Sequence, residues 1–147
     1  MKRIGIIGAM EVEVEKLKAD MQVEETVQKA GMSFCAGTLG EAQVVVVKSG
    51  IGKVNAAICT QILADVFEVD AVINTGIAGS LDAEIDIGDI VLSTDALQHD
   101  MDATGFGYPL GQIPQMHVFS FPASREMAKK AEQVCLQVNP DTKVFHG

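Results

Sequence analysis

The chain has 147 residues, of which 48% are hydrophobic and 5% aromatic, with no tryptophan. This length suffices for one domain with a mostly aliphatic core. A net charge of −9 argues against nucleic acid or an anionic membrane as a partner. The longest apolar runs have the length of a strand, so we expect no membrane-spanning helix. Three scattered cysteines in apolar contexts, Cys35, Cys59 and Cys135, predict buried, reduced thiols in a cytoplasmic protein.

Strands and helices alternate along the first half of the chain. The expected elements are a strand at 3–7, a helix from about 11 to 21, a hairpin of 25–29 and 32–39 closing at Ala30-Gly31, a strand at 42–48, a helix at 54–67 and a strand at 70–74. The four consecutive valines of the strand at 42–48 are typical of a strand covered on both faces. In the helix that follows, Val54, Ile58 and Ile62 share one face, with Ala57, Leu63 and Phe67 close by. This wide apolar arc predicts packing between the sheet and a second layer.

The second half of the chain is less regular. A strand is expected at 89–95, an amphipathic helix at 124–138 and the start of a further strand near Val144. The apolar face of that helix holds Met127, Ala131, Val134 and Val138. Between the strand at 89–95 and this helix, residues 99–122 are rich in glycine, proline, methionine and aromatic side chains. Such a segment is typical of a functional loop or an interface.

Glycine-containing turns follow three of the predicted strands. They are Gly8-Ala9, the Lys48–Lys53 segment KSGIGK and the Asn74–Gly79 segment NTGIAG. None has the glycine spacing of a dinucleotide-binding fingerprint or a P-loop. Because open α/β sheets bind ligands at the carboxyl ends of their strands, three such turns predict a shared crevice.

Acidic residues begin the first helix, at Glu11, Glu13 and Glu15. Carboxylates beside a crevice would repel phosphate and would suit a base that activates water. An ordinary strand–helix connection with solvated glutamates explains the same pattern. The only arginines, Arg3 and Arg125, are not placed to clamp an attacking phosphate, which favours water as a nucleophile.

Two features of the irregular segment allow different interpretations. His99, Asp100 and Asp102 could ligate a metal, but neighbours on an extended chain diverge, which favours a structural, hydrogen-bonded pair. The aromatic side chains of the segment could stack on a flat ligand or form a subunit contact; they are Phe106, Tyr108, Phe119 and Phe121.

Four segments in this order resemble the 5′-methylthioadenosine/S-adenosylhomocysteine nucleosidases of the nucleoside phosphorylase superfamily. They are GIIGAMEVEVE, KSGIGKVNAA, VINTGIAGSL and GDIVLSTDALQHDMDATGFGYPLGQIP. The resemblance implies a three-layer α/β/α sandwich around a twisted, mostly parallel mixed sheet. It also implies hydrolysis of the N-glycosidic bond to release adenine, in methionine salvage, by a cytoplasmic homodimer without metal or organic cofactor.

The resemblance assigns roles by motif position. Glu13 would deprotonate the attacking water. Ala9 and Ile51 would line the ribose and alkylthio side of the substrate. Ala78 and Gly79 would lie against adenine and ribose, beside Ile77, which stands where many members have serine. Phe106 and Pro114 would reach into the partner subunit's pocket.

The family's pattern continues past the strand that begins at Val144, with groups that hold the ribose hydroxyls and protonate adenine. We therefore expect residues 1–147 to form a single domain truncated at its C-terminus, which carries the water-activating half of the site and is inactive alone. The alternatives are a purine nucleoside phosphorylase, a nucleosidase acting on futalosine or AMP, and a non-catalytic nucleoside-binding or assembly module.

Overall fold

The computed structural model describes residues 3–147, which divide into two compact units with the boundary between Gly79 and Ser80. The first unit holds strands β1 (Arg3–Gly8), β2 (Gln22–Lys29), β3 (Met32–Leu39), β4 (Ala42–Lys48) and β5 (Ala71–Asn74) and helices α1 (Glu11–Asp20) and α2 (Lys53–Asp65). The second holds β6 (Ile90–Leu92), β7 (Asp95–Ala96), β8 (Phe121–Pro122) and β9 (Val144–His146), helix α3 (Arg125–Val138) and a 3-10 helix at Thr104–Phe106.

The first unit is built on a five-stranded mixed sheet in the order β2-β3-β4-β1-β5. β1 pairs in parallel with both β4 and β5, whereas β2, β3 and β4 pair antiparallel. The β2–β3 hairpin turns at Ala30 and Gly31, both of which have positive φ, 50° and 75°, as a tight two-residue hairpin loop requires. The mixed α/β fold and the predicted hairpin are thus confirmed.

A helix covers each face of this sheet. Alternate side chains of a strand point to opposite faces, so Val44 and Val46 join Val14 of α1 in one buried cluster. Val45 and Val47 join the other cluster, with Cys59 and Leu63 of α2. The first unit therefore has the three layers expected of an α/β/α sandwich.

The predicted apolar arc of α2 is only partly buried: Leu63 and Phe67 are in the core and Ile62 packs against it. Cys59 and Leu63 are fully buried, whereas Val54 is 74% exposed and Ile58 is also exposed. Apolar residues surround most of this helix, so their spacing alone does not indicate which arc contacts the sheet.

The second unit contains two small sheets, the parallel pair β6–β9 and the antiparallel pair β7–β8. The single strand predicted at 89–95 is therefore wrong, because the chain changes partner after Leu92. Helix α3 matches its predicted range, with Met127 and Ala131 half-buried and Val134 and Val138 exposed. Within residues 3–147, no helix combines the length and apolar character needed to cross a membrane.

The cysteines differ in burial. Cys59 is fully buried, and burial raises the pKa of its thiol to about 11. Cys35 and Cys135 are half-buried, and all three are free thiols. The expectation of a buried thiol is thus right for Cys59 and wrong for the other two.

Candidate active site

The three glycine-containing turns in the first unit follow neighbouring strands. β4, β1 and β5 are adjacent and parallel, so the turns after them lie at one edge of the sheet. Backbone hydrogen bonds join them: the Ser49 N–H donates to the Gly8 carbonyl at 2.9 Å, and the Thr75 N–H donates to the Ile7 carbonyl at 2.9 Å. The three turns therefore lie together at the place where the sequence predicted a crevice.

Glu13 lies at this edge, in the first turn of α1. Its Oε2 accepts the N–H of Met10, the residue that precedes the helix, at 2.8 Å. Its Oε1 accepts the N–H of Ile77, in the turn after β5, at 3.0 Å. The carboxylate therefore connects the start of α1 to a turn that lies 64 residues after Glu13 in the chain.

Backbone donors also favour the ionised form of this carboxylate. The N–H groups of Met10 and Ile77 stabilise the anion and hold the pKa of Glu13 below its ordinary value. Both donors therefore favour the carboxylate form of Glu13, which is the form that a base needs.

The other two acidic residues of α1 behave differently. Glu11 binds Lys18 at 2.8 Å and Lys48 at 3.6 Å, and its pKa is lowered chiefly by the hydrogen bond from Lys18. Glu15 is exposed to solvent. Of the three carboxylates, Glu13 is the one that lines the cleft.

The cleft beside Glu13 has a volume of about 290 Å³ and is lined by Val12, Glu13, Thr75, Gly76 and Ile77. A second cavity, of about 390 Å³, includes Arg3 and Gln43 in its lining. These two residues begin the paired segments of β1 and β4, so the second cavity lies toward the opposite end of the strands from Glu13. Of these two cavities, the smaller one is lined by the Glu13 carboxylate and is the candidate site.

The other residues predicted in the first unit lie in the same turns. Ala9 is half-buried between β1 and α1. Ile51 is 74% exposed after β4, and Ile77 is 78% exposed after β5. Ala78 and Gly79 follow Ile77 and are exposed. At residue 77 the backbone N–H, independent of side-chain type, supplies the polar contact.

The remaining predicted residues lie in the second unit. Phe106 ends the 3-10 helix and is 87% exposed, whereas Pro114 is half-buried. The loop around them is internally bonded: the buried amide of Gln112 donates to the carbonyls of Ile113, Met116 and Val118.

Asp102 has a structural role within this loop. Its Oδ1 accepts the hydroxyl of Thr104 at 2.7 Å and the N–H of the same residue at 3.0 Å. These bonds hold the pKa of Asp102 below its ordinary value. No group of three or more His, Cys, Asp or Glu side chains within residues 3–147 is arranged to hold a metal ion.

Sequence reasoning missed the residues that hold Glu13 in place. Gly76 is the main one, because a Cβ there would overlap Oε1 of Glu13 and lie 2.9 Å from its Cδ. Gly8 is the second, because a Cβ there would lie 2.9 Å from Glu13 Cβ and 2.7 Å from a methyl of Val14. The sequence signal for these two contacts was a glycine at the end of β1 and another in the turn after β5.

Comparisons with known proteins agree with this fold and identify the family of the chain. The sequence pattern described as the phosphorylase superfamily matches residues 3–147. The chain is 46% identical over 144 residues to a 5′-methylthioadenosine/S-adenosylhomocysteine nucleosidase of Pseudoalteromonas translucida, covering 98% of this chain and 60% of the relative. It is 48% identical over 141 residues to the nucleosidase of the same name from Staphylococcus aureus strain JH9, covering 96% of this chain and 61% of the relative.

Solved structures give the same result. A nucleosidase from Colwellia psychrerythraea in complex with adenine superposes with a TM-score of 0.93 at 42% identity, over 99% of this chain and 60% of that one. The Neisseria meningitidis nucleosidase in complex with methylthio-immucillin-A superposes with a TM-score of 0.94 at 37% identity. The match covers 100% of this chain and 63% of that one. The chain thus spans about 60% of the length of the curated relatives it matches. Because the superfamily pattern extends from residue 3 to residue 147, the chain belongs to the phosphorylase superfamily.

Proposed function

We propose that this chain carries the water-activating part of a nucleosidase that hydrolyses the N-glycosidic bond of 5′-methylthioadenosine and S-adenosylhomocysteine. The products would be adenine and the corresponding 5-thioribose sugar. The observation that carries the proposal is the Glu13 carboxylate, fixed by the N–H groups of Met10 and Ile77 beside an open cleft. Relatives named for this activity support the choice of substrate.

The geometry suits the chemistry of glycosidic cleavage. As the bond to adenine breaks, positive charge develops on the sugar, and a nearby fixed anion stabilises that charge. A carboxylate offers about four lone-pair sites, and the backbone N–H groups of Met10, Ile77 and Ala9 leave one of those of Glu13 open. An attacking water can therefore be bound and deprotonated without releasing any of these backbone donors.

The position of Arg3 supports water over phosphate as the nucleophile. Its guanidinium donates to the Phe67 carbonyl at 2.8 Å, and the residue begins β1, at the end of the strand away from Gly8 and Glu13. A phosphorylase needs a bidentate cation at its attacking anion, and Arg3 does not supply one to this cleft.

The remaining sites belong to the same proposal. Ala9 and Ile51 would line the ribose and alkylthio side, and Ala78 and Gly79 would lie against the adenine and ribose. The exposed Phe106, with Pro114, would cover the 5′-alkylthio group in the partner subunit of a cytoplasmic homodimer. Large exposed aromatic side chains are enriched at such interfaces.

Adenine release is the direct test. It should be measured with this chain and with a chimera in which the chain replaces the matched part of the S. aureus relative. We expect the chimera to release adenine from 5′-methylthioadenosine without added phosphate. Glu13→Gln should lower kcat by at least about 10²-fold, because the general base is lost.

Glu15→Gln is the matched control, since this exposed carboxylate lies on the same helix. The proposal is wrong if Glu13→Gln retains full activity in a folded chimera or if cleavage requires phosphate. Faster cleavage of futalosine than of 5′-methylthioadenosine would instead favour the activity of another structural relative, the futalosine hydrolase of Helicobacter pylori, which superposes with a TM-score of 0.89 at 29% identity.

A further inference from the structure

The turn after β5 approaches the Glu13 carboxylate unusually closely. A Cβ at residue 76 would overlap Oε1 of Glu13, and the Ile77 N–H donates to that same oxygen at 3.0 Å. The backbone at Gly76 is outside the positive-φ region, so an L-residue could adopt its conformation. Space for the carboxylate, rather than backbone freedom, is what requires glycine here.

We propose that Gly76 is a positioning residue: its missing side chain lets the Ile77 N–H reach Glu13 and fixes the carboxylate in the cleft. This inference rests on the proposed function of Glu13 and adds the element that orients it. Without the Ile77 N–H, the remaining backbone donors would come only from Ala9 and Met10, just before α1, and Oε1 would lose its contact with the turn after β5.

The charged groups around this site do not replace the Ile77 donor. Glu11, on the same helix, is paired with Lys18 and with Lys48 at the end of β4. The backbone N–H groups of Met10 and Ile77, and less strongly that of Ala9, lower the pKa of Glu13. Losing one donor should therefore be visible in the titration of this carboxylate.

The first experiment is a carboxyl-carbon NMR titration of the 147-residue chain, with the Glu13 signal assigned by its disappearance in Glu13→Gln. Gly76→Ala should raise the pKa of Glu13 toward its ordinary value, because the methyl group displaces the carboxylate from the Ile77 N–H. In the adenine-release assay with the chimera, the same substitution should move the acidic limb of kcat/KM to higher pH and lower kcat by about 10²-fold, as expected for a displaced catalytic group.

Gly5→Ala is the matched control. A Cβ at residue 5 would lie 2.9 Å from a methyl of Leu63, so the substitution crowds the core below β1 without touching the carboxylate. It should lower the midpoint of thermal unfolding but leave the pKa of Glu13 unchanged. Should Gly76→Ala fail to fold, Ile77→Pro removes the same N–H without adding a methyl at residue 76, and the same rise in pKa is expected.

The outcomes separate this inference from the proposed function. An unchanged Glu13 pKa in folded Gly76→Ala, or in folded Ile77→Pro, would overturn the positioning role even if Glu13→Gln is inactive. A raised pKa with Glu13→Gln fully active would keep the positioning role and refute Glu13 as the base.

Discussion

At the scale of single residues, Glu13 combines a structural and a chemical role. By accepting the Met10 N–H it satisfies a backbone donor at the start of α1, as a glutamate does in a capping box. Its second oxygen accepts the Ile77 N–H, and the residue lines the cleft. The two interpretations left open by the sequence, helix start and catalytic base, are therefore compatible.

The pH dependence of stability reports the structural role. Because the folded-state pKa of Glu13 lies below the ordinary value of 4.5, this group stabilises the fold above that pH, and the contribution is lost as pH falls through the folded-state pKa. We expect Glu13→Gln to flatten the loss of stability on acidification. Urea unfolding at a series of pH values measures this slope.

The Glu13→Gln variant should still lose some stability on acidification, because the pKa values of Glu11 and Asp102 are also lowered. Glu15→Gln is the comparison that removes a charge from α1 without removing these bonds. Identical slopes for Glu13→Gln and Glu15→Gln would contradict the contribution assigned to Glu13.

The residues of the site were only partly predictable. Glu13 and Ala9 could be placed at the turn after the first strand because they follow it directly in sequence, but the choice of Glu13 over Glu11 and Glu15 came from the family resemblance. The contact with Ile77 depends on β1 lying beside β5, in the register that pairs Ile7 with Asn74. Local sequence does not encode a pairing between segments so far apart in the chain, so the closeness of Gly76 to Glu13 could not be foreseen.

At the scale of elements, apolar patterns indicated where strands lie but not which strands they pair with. The predicted strand at 89–95 is interrupted because β6 pairs with β9, whereas β7 pairs with β8. Thr94 lies at this change of partner: its N–H donates to the Gly147 carbonyl at 2.6 Å, and its carbonyl accepts the Ala123 N–H at 2.9 Å. Both partner strands come much later in the chain, beyond the range of a local pattern.

Helix α3 begins with a side-chain cap. Ser124 Oγ accepts the N–H of Met127 at 3.3 Å, so Ser124→Ala should lower the free energy of unfolding by about 1 kcal/mol. Ser124→Asp keeps an acceptor at the same place, so its free energy of unfolding should be close to that of the original protein. Urea unfolding measures both variants, and equal stabilities for the Ala and Asp substitutions would show that the cap contributes nothing.

At the scale of the whole molecule, burial is concentrated in the first unit. Among the buried hydrophobic side chains of residues 3–147, Ala103 alone follows Gly79. All the others belong to the two clusters on either face of the five-stranded sheet. Because burial of apolar surface is the main favourable contribution to folding, the two units should differ in local stability.

Hydrogen exchange followed by mass spectrometry tests this difference. We expect the amides of β1 and β4, whose side chains are buried on both faces, to exchange slowest. Amides of residues 80–147 should exchange faster, because opening their short strands exposes little apolar surface. Exchange in denaturant calibrates the intrinsic rate of each peptide. Equal protection of β4 and of α3 would contradict this expectation, since it would mean that the chain opens only as one cooperative whole.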